Sequence, residues 1–224
     1  MADVIWLVEK LQPTSQNSLG SVACREERRD AAENRERILD TAETLFVRHG
    51  VASVNMVDIA QAASVGKGTL YRHFSSKAAL CIALMDKQLE GMQNTMLADL
   101  VQMRTRSTPY LEQLQHFLRG TVHFTEAHTP LLCEIQREGV LGGIKMTAPH
   151  FVWQPLTVAG LLRAAIRAGE IPACVDVEVT VAMLLAPLNA HFFAFLRNTQ
   201  GLSLERVSEG LCRLVASLAT MPHD

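Results

Sequence analysis

Apolar positions recur every three to four residues along most of the chain, and no stretch alternates apolar with polar for long, so the pattern predicts helices throughout. The first clear one runs from Asn34 to His49, with Ile38, Ala42, Leu45 and Phe46 on one face. Arg48 and His49 suit the negative end of its dipole, and Gly50 is a natural stop. Between Asn55 and Lys77 lie two short helical patterns with a four-residue turn between them. Neither is long enough to bury its apolar face alone, so the pair reads as a helix-turn-helix. A long helix capped by Ser75 or Ser76 then reaches about Met103. Beyond it Pro109, Pro130, Pro149, Pro155 and Pro172 punctuate the pattern and predict helices near 110–128, 131–139, 150–168, 177–197 and 204–219. In the last of these Val207, Leu211, Leu214, Val215 and Leu218 keep to one stripe, and Gly142-Gly143 marks a mobile loop.

The two short helices carry the most local information. Asn55 can cap the free donors of the first, Asp58 puts an acid in its first turn, and Val54 before the cap can meet Ile59. In the second, Gly66 takes the cap position and Val65 meets Leu70 in the same way. Leu70 and Phe74 lie one turn apart and face inward, which turns Lys67, Thr69, Tyr71, Arg72 and His73 outward. Donors, cations and a flat aromatic on a second short helix suit the DNA major groove, where cations reach guanine edges and hydroxyls reach phosphates.

At these residues the chain resembles the TetR family of bacterial transcriptional regulators. The resemblance rests on Asp58-Ile59-Ala60, on the run Ala63-Ser64-Val65-Gly66-Lys67-Gly68-Thr69-Leu70-Tyr71-Arg72-His73-Phe74, and on Ser76-Lys77; it spans roughly residues 34–80. It implies that Lys67 and Gly68 meet base edges and that Thr69, Tyr71, His73 and Lys77 hold phosphates. Asn55, Val57 and Arg72 would share that surface, and Arg35 would touch a phosphate from the first helix. Two positions depart from the family's pattern. Val57 stands where relatives often carry a polar base reader. Ser64 and Gly66 look exchanged, since the family usually has glycine at the first and a hydroxyl cap at the second. Ser64 is therefore expected at positive φ, a conformation that costs an ordinary residue about 1 kcal/mol.

The resemblance also implies an all-α protein in which a three-helix reading head is joined by a long helix to a C-terminal helical ligand-binding and dimerisation domain. The expected divisions are a flexible leader at 1–33, the reading head at 34–80 and the effector and dimer domain at 81–224. The implied function is a ligand-responsive repressor that binds a palindromic DNA operator as a homodimer and is released by an unidentified small molecule. No cofactor is expected. Met85, Met92, Met96 and Met103 recur along the long helix and can line an apolar pocket, with Phe117, His123, Phe124 and Trp153 as further candidates. The apolar helix near 177–197 must bury more than one face, so a dimer interface through Leu184, Leu188, Phe192, Val207, Leu211, Leu214 and Leu218 is expected.

Charge and composition refine this picture. The net charge of -2 does not favour nucleic acid, but Asn34–Leu80 holds six Lys or Arg against four Asp or Glu, so the reading head is basic and the remainder acidic. Before it, Arg25, Arg28 and Arg29 alternate with Glu26, Glu27 and Asp30, which reads as solvated disorder. Five cysteines at odd, wide spacings suggest no disulfide framework and fit a reducing cytoplasm. Between Glu178 and Arg197 eighteen residues lack a formal charge, but Pro187, Asn189 and His191 sit near the centre, so a buried helix is expected rather than a membrane span. His116 and His123 share a helix face too far apart along the axis to hold one metal ion, and His128, His150, Cys133 and Glu134 complete no ligand set. No glycine-rich phosphate loop, HExxH or GxSxG occurs, and an enzyme is not expected. The alternative to a regulator is a helical enzyme or binding protein whose helix-turn-helix does not read DNA; specific binding to a palindrome without turnover would separate the two.

Overall fold

The computed structural model describes residues 22–142 and 149–220, all of it helices and their connections. The Gly142-Gly143 loop falls at the edge of the segment outside that description, as does the first part of the expected leader. The first helix, α1 (Val22–His49), begins twelve residues earlier than its apolar stripe suggested. Its extra turns are rich in Ala, Glu and Arg, which are strong helix formers, and charges of opposite sign stand one turn apart, as in the Arg29–Glu33 pair at 3.2 Å. The interleaved charges that read as disorder thus support a helix, and the leader does not extend to residue 33.

Gly50, at φ 81, stops α1, and a 3-10 turn over Val51–Ser53 leads into α2 (Met56–Ala62) and α3 (Lys67–His73). Ser76 caps α4 (Lys77–Thr105) through Ala79 N. Then a single helix, α5 (Tyr110–Gly142), replaces the two expected at 110–128 and 131–139 and carries Pro130 inside it. Proline removes one helical hydrogen bond, but the preceding turn is reinforced: Thr129 Oγ1 donates to Thr125 O at 2.6 Å and His128 Nδ1 sits 2.8 Å from Phe124 O. Burial on both sides of the proline, at Val122 and Thr125 before it and Glu134 and Ile135 after it, keeps the axis continuous.

After α6 (Pro149–Ala168), which takes Pro155 into its second turn, the apolar segment near 177–197 is also not one helix. It is divided into α7 (Val177–Leu185), a 3-10 turn over Ala186–Leu188, α8 (Ala190–Ala194) and a π turn over Phe195–Thr199, with a 50° bend. Pro187 cannot continue the ladder, and the Asn189 side chain caps the new start through Phe192 N. No single helix among the described residues is long and apolar enough to cross a membrane. The last helix, α9 (Leu204–Ser217), starts where expected, and the Ser203 side chain caps it through Arg206 N.

α5 packs against α4, α6, α8 and α9 and against the 3-10 turn of the reading head. It contributes to all three buried clusters, through Ile135 to the reading-head core, through Leu114, Phe117 and Leu118 to the central one, and through Val122 to the smallest. Acids from distant segments close two helix starts. Glu170 accepts from Tyr110 N and Leu111 N at 2.7 and 2.8 Å, and Glu138 accepts from Ala78 N at 2.8 Å. Near the middle of α5 the long helix α4 comes close: a Cβ on Gly120 would stand 1.8 Å from the Met96 methyl.

Candidate nucleic-acid interface

Ile38, Ala42, Phe46, Val54, Ile59, Leu70 and Phe74 form the floor on which the two short helices sit. Asn55 Oδ1 accepts from Val57 N and Asp58 N at 2.8 and 3.1 Å, and Asp58 Oδ2 accepts from Asn55 N at 2.9 Å. This reciprocal capping box commits the Asn55 oxygen to the helix and leaves only its amide NH2 to reach outward. In the turn, Ser64 stands at φ 54, the left-handed conformation its place implied. Gly66 occupies the cap of α3 with no side-chain hydrogen bond to offer.

On α3, Leu70 and Phe74 are buried while Lys67, Gly68, Tyr71 and Arg72 are exposed; Thr69 is half-buried. Tyr71 exposes 48% of its surface and Val57 on α2 43%, large values for apolar bodies without a partner in the monomer. Arg35 lies over the Phe74 ring at 5.2 Å, which fixes an exposed cation beside the same face. His73, expected to hold a phosphate, is half-buried at the end of α3. Burial first, then the Arg72 and Arg35 charges, push its pKa below the ordinary histidine value, so it is a neutral ring at pH 7. Its Nε2 is enclosed and has no hydrogen-bond partner among the described residues.

Lys77 corrects the sequence reading more fully. Its side chain is only 11% exposed, and its ammonium donates to Val51 O at 2.5 Å and pairs with Glu134 at 3.4 Å. The group is inside, joining the reading head to α5, because Phe46 and the 3-10 turn close over it. Glu134, weighed in the sequence only as a metal ligand, and Arg137 and Glu138 on α5, which had no sequence signal beyond being charged, complete that junction. They border an open cleft of about 720 Å³ that runs past Asn55, Val57 and Tyr71.

The candidate pocket residues divide. Met96, Phe117 and Trp153 share the central cluster with Met92 against its edge, and the Phe117 and Trp153 rings meet edge to face at 5.3 Å. Trp153 Nε1 is buried there without a partner among the described residues. Phe124 instead stacks on His128 at 4.1 Å and packs toward the reading head, His123 is exposed, and Met103 joins none of the clusters. These three are too far along or around their helices to line the same space.

The expected interface residues divide likewise. Leu184, Leu188, Val207 and Leu211 are buried within the monomer, so they are core and not interface. Phe192 and Leu214 are exposed and Leu218 is half-buried, and they are joined by Val179, Met183 and Phe195, with Met183 66% exposed and Leu214 56%. The stripe on α9 was read as one face, but α5 takes Val207, Leu211 and Val215, leaving Leu214 one step round the helix. His116 pairs with Asp99 at 2.9 Å, and no group of three metal-ligating side chains gathers among the described residues. Burial raises the thiols of Cys133 and Cys212 and pushes Cys81 up to about 12, so none of the three is a thiolate at neutral pH.

Residues 38–84 match the family described as bacterial regulatory proteins, tetR family. An HTH-type transcriptional regulator of Staphylococcus aureus (strain MRSA252) is 28% identical over 85% of this chain and 96% of its own length. Another, from strain USA300, is 44% identical over 28% of this chain, a third of its own length (34%). Among solved structures, FadR of Thermus thermophilus, a TetR family repressor in complex with lauroyl-CoA, superposes with a TM-score of 0.63 at 20% identity, covering 85% of this chain and 96% of that one. A transcriptional regulator from Saccharomonospora viridis in complex with choline gives 0.62 at 19% identity, covering 82% and 96%.

Proposed function

We propose that the chain is a TetR-family transcriptional regulator that represses transcription as a cytoplasmic homodimer bound to a palindromic operator and released by a small apolar effector. The observation that carries this reading is the outer face of α3. Lys67, Gly68, Tyr71 and Arg72 stand exposed on a short helix whose inner face is fully packed, a surface with no use inside the monomer. Lys67 and Gly68 read base edges, Thr69 and Tyr71 hold phosphates, and Arg35 and Arg72 add positive charge at the rim. The exposed apolar surface of Val179, Met183, Phe192, Phe195 and Leu214 supports the dimer. Two-fold symmetry then places the two α3 helices about 34–36 Å apart, one turn of DNA, or slightly further.

The ligand site is assigned to the central cluster. Met92, Met96, Phe117 and Trp153 offer an uncharged, deformable lining with one unused donor, suited to an apolar molecule carrying an acceptor oxygen. Lauroyl-CoA and choline in the two structural neighbours are evidence that this fold accepts unlike ligands, and neither is carried over by name. Induction requires only that the ligand prefer a dimer whose heads are wrongly spaced.

Selection of bound sequences from random duplex DNA, with full-length protein at two salt concentrations, tests the reading. The expected result is one palindrome whose enrichment falls steeply with salt. No enrichment from protein refolded free of ligand would overturn it in favour of a helical protein that does not read DNA.

A further inference from the structure

We infer that Glu134 and Glu138 of α5 are positioning residues for DNA recognition: they set the angle at which the reading head leaves the helical body, and so the half-site spacing the dimer accepts. The inference rests on the operator-bound dimer proposed above.

The recognition helix α3 ends at His73, and α4 begins at Lys77. The direction of the first turn of α4 therefore fixes the direction of α3. That turn is held from two sources. Ser76 of the same segment takes Ala79 N at 3.1 Å, while Glu138, sixty residues away on α5, takes Ala78 N at 2.8 Å. A backbone donor at a helix start has no partner within the helix, so the acid that satisfies it also sets where the helix points.

One turn back along α5, Glu134 is 6% exposed and divides its oxygens between two cations. Oε1 accepts from Arg137 at 2.5 Å, and Oε2 faces the Lys77 ammonium at 3.4 Å. Lys77 in turn donates to Val51 O at 2.5 Å, at the turn through which the chain enters α2. The two acids thus hold the head at its entry, through Lys77 and Val51, and at its exit, through Ala78. Around them the contact is apolar: Leu131, Leu132 and Ile135 lie against the head's own core. Apolar contacts slide at little cost, whereas hydrogen bonds to a carboxylate are directional. A buried ion pair is also a poor means of adding stability, because desolvation offsets most of the attraction. What these groups supply is an angle. The cleft beside them, bordered by Val57 and Tyr71, leaves the head room to adopt another.

The test is binding-site selection with full-length protein on duplexes that carry two half-sites at varied separation. Wild type is compared with Glu138→Ala, Glu134→Gln, Glu138→Gln and Leu132→Ala, and each is checked by thermal melting. Wild type is expected to favour one spacing. Glu138→Ala and Glu134→Gln should lose about tenfold affinity there while accepting spacings shifted by a base pair or more. Glu138→Gln keeps an oxygen for Ala78 N and should keep the wild-type spacing; Leu132→Ala thins the apolar contact and should keep it too. Should Glu134→Gln fail to fold, Glu138→Ala against Glu138→Gln decides alone. A uniform loss at every spacing, or a spacing unchanged by removal of the Glu138 carboxyl group, overturns the assignment. If wild type enriches no paired half-sites, it is the operator-bound dimer that falls, and this assignment with it.

Discussion

Ser64 at φ 54 and Gly66 in the cap of α3 each occupy the place the other would suit. Glycine adopts positive φ freely, and a serine at an N-cap offers an oxygen to the first free donors. Ser64→Gly is expected to stabilise the protein by about 1 kcal/mol. Gly66→Ser should add a few tenths more, since its backbone is already extended and a new Cβ meets nothing nearer than Thr69 Oγ1 at 4.0 Å. Thermal melting reads both, and a lower midpoint for Ser64→Gly would refute the strain. Gly68 allows a sharper separation of folding from recognition. A Cβ there has nothing within 4 Å, and alanine is the better helix former by about 1 kcal/mol. Gly68→Ala should therefore melt no lower than wild type yet, if the proposed base contact holds, bind the operator less well, because no described residue fills the space. The two kinds of contact on α3 separate in the same way. Tyr71→Phe should weaken binding to all sequences, whereas Lys67→Ala should relax the preference at one position in each half-site. A uniform loss for Lys67→Ala across operators would remove it from the base-reading set.

At the scale of the elements, the local signals were reliable where a cap and a staple coincide. Asn55 with Asp58 and the Gly50 stop are read correctly from three or four neighbouring residues, and Ser76 is one of the two caps the sequence offered for α4. Proline was the weak signal. Pro130 and Pro155 lie inside helices held by burial on both sides, while Pro187 breaks one where Asn189, two residues on, caps a new start. The inward turn of Lys77 was illegible for another reason, since the Glu134 that draws it in lies far along the chain, whereas the charged start of α1 had a local signal in its helix formers and i, i+4 pairs. The broken segment has its own anchor. Arg197 in the π turn makes two parallel bonds of 2.9 Å to Glu126 of α5 and donates to Leu202 O. The hydrogen bond from Arg197 holds the Glu126 carboxyl below the usual glutamate range against the opposing effect of burial. A carboxyl whose pKa is depressed by folding adds stability that is complete above its unfolded value, near 4.3, and is lost as pH falls through the lower folded one. Glu126→Gln should therefore lower the melting midpoint at pH 7 and flatten the fall in stability on the acid side. An unchanged acid limb would show that the pair is too well solvated to matter.

For the whole molecule, the dimer proposed above requires an exposed apolar surface that would meet a second copy. Leu211 and Leu214 are neighbours on α9 with opposite fates, one buried at 3% and the other exposed at 56%. Leu214→Glu should yield a folded protein of half the wild-type mass by sedimentation, because two-fold symmetry sets like charges across the interface. Leu211→Glu should prevent folding, since it buries an unpaired charge in the monomer. If both variants fold with the wild-type mass, the interface lies elsewhere.

The close approach of α4 and α5 at Gly120 carries a consequence for how such a protein acquires a new inducer. The atom that a methyl group at 120 would displace is the tip of Met96, the freely rotating end of a side chain rather than backbone. The helices need not separate to admit it; the thioether turns and the floor under Phe117 and Trp153 changes shape. If the ligand sits at the central cluster as proposed, a single-base change of a glycine codon to alanine would thus retune which molecules fit while the proposed DNA-reading surface, on other helices, stays as it was. Chemical selectivity and genomic address can be altered one at a time, so a duplicated copy of the gene could take up a new signal before it takes up a new target.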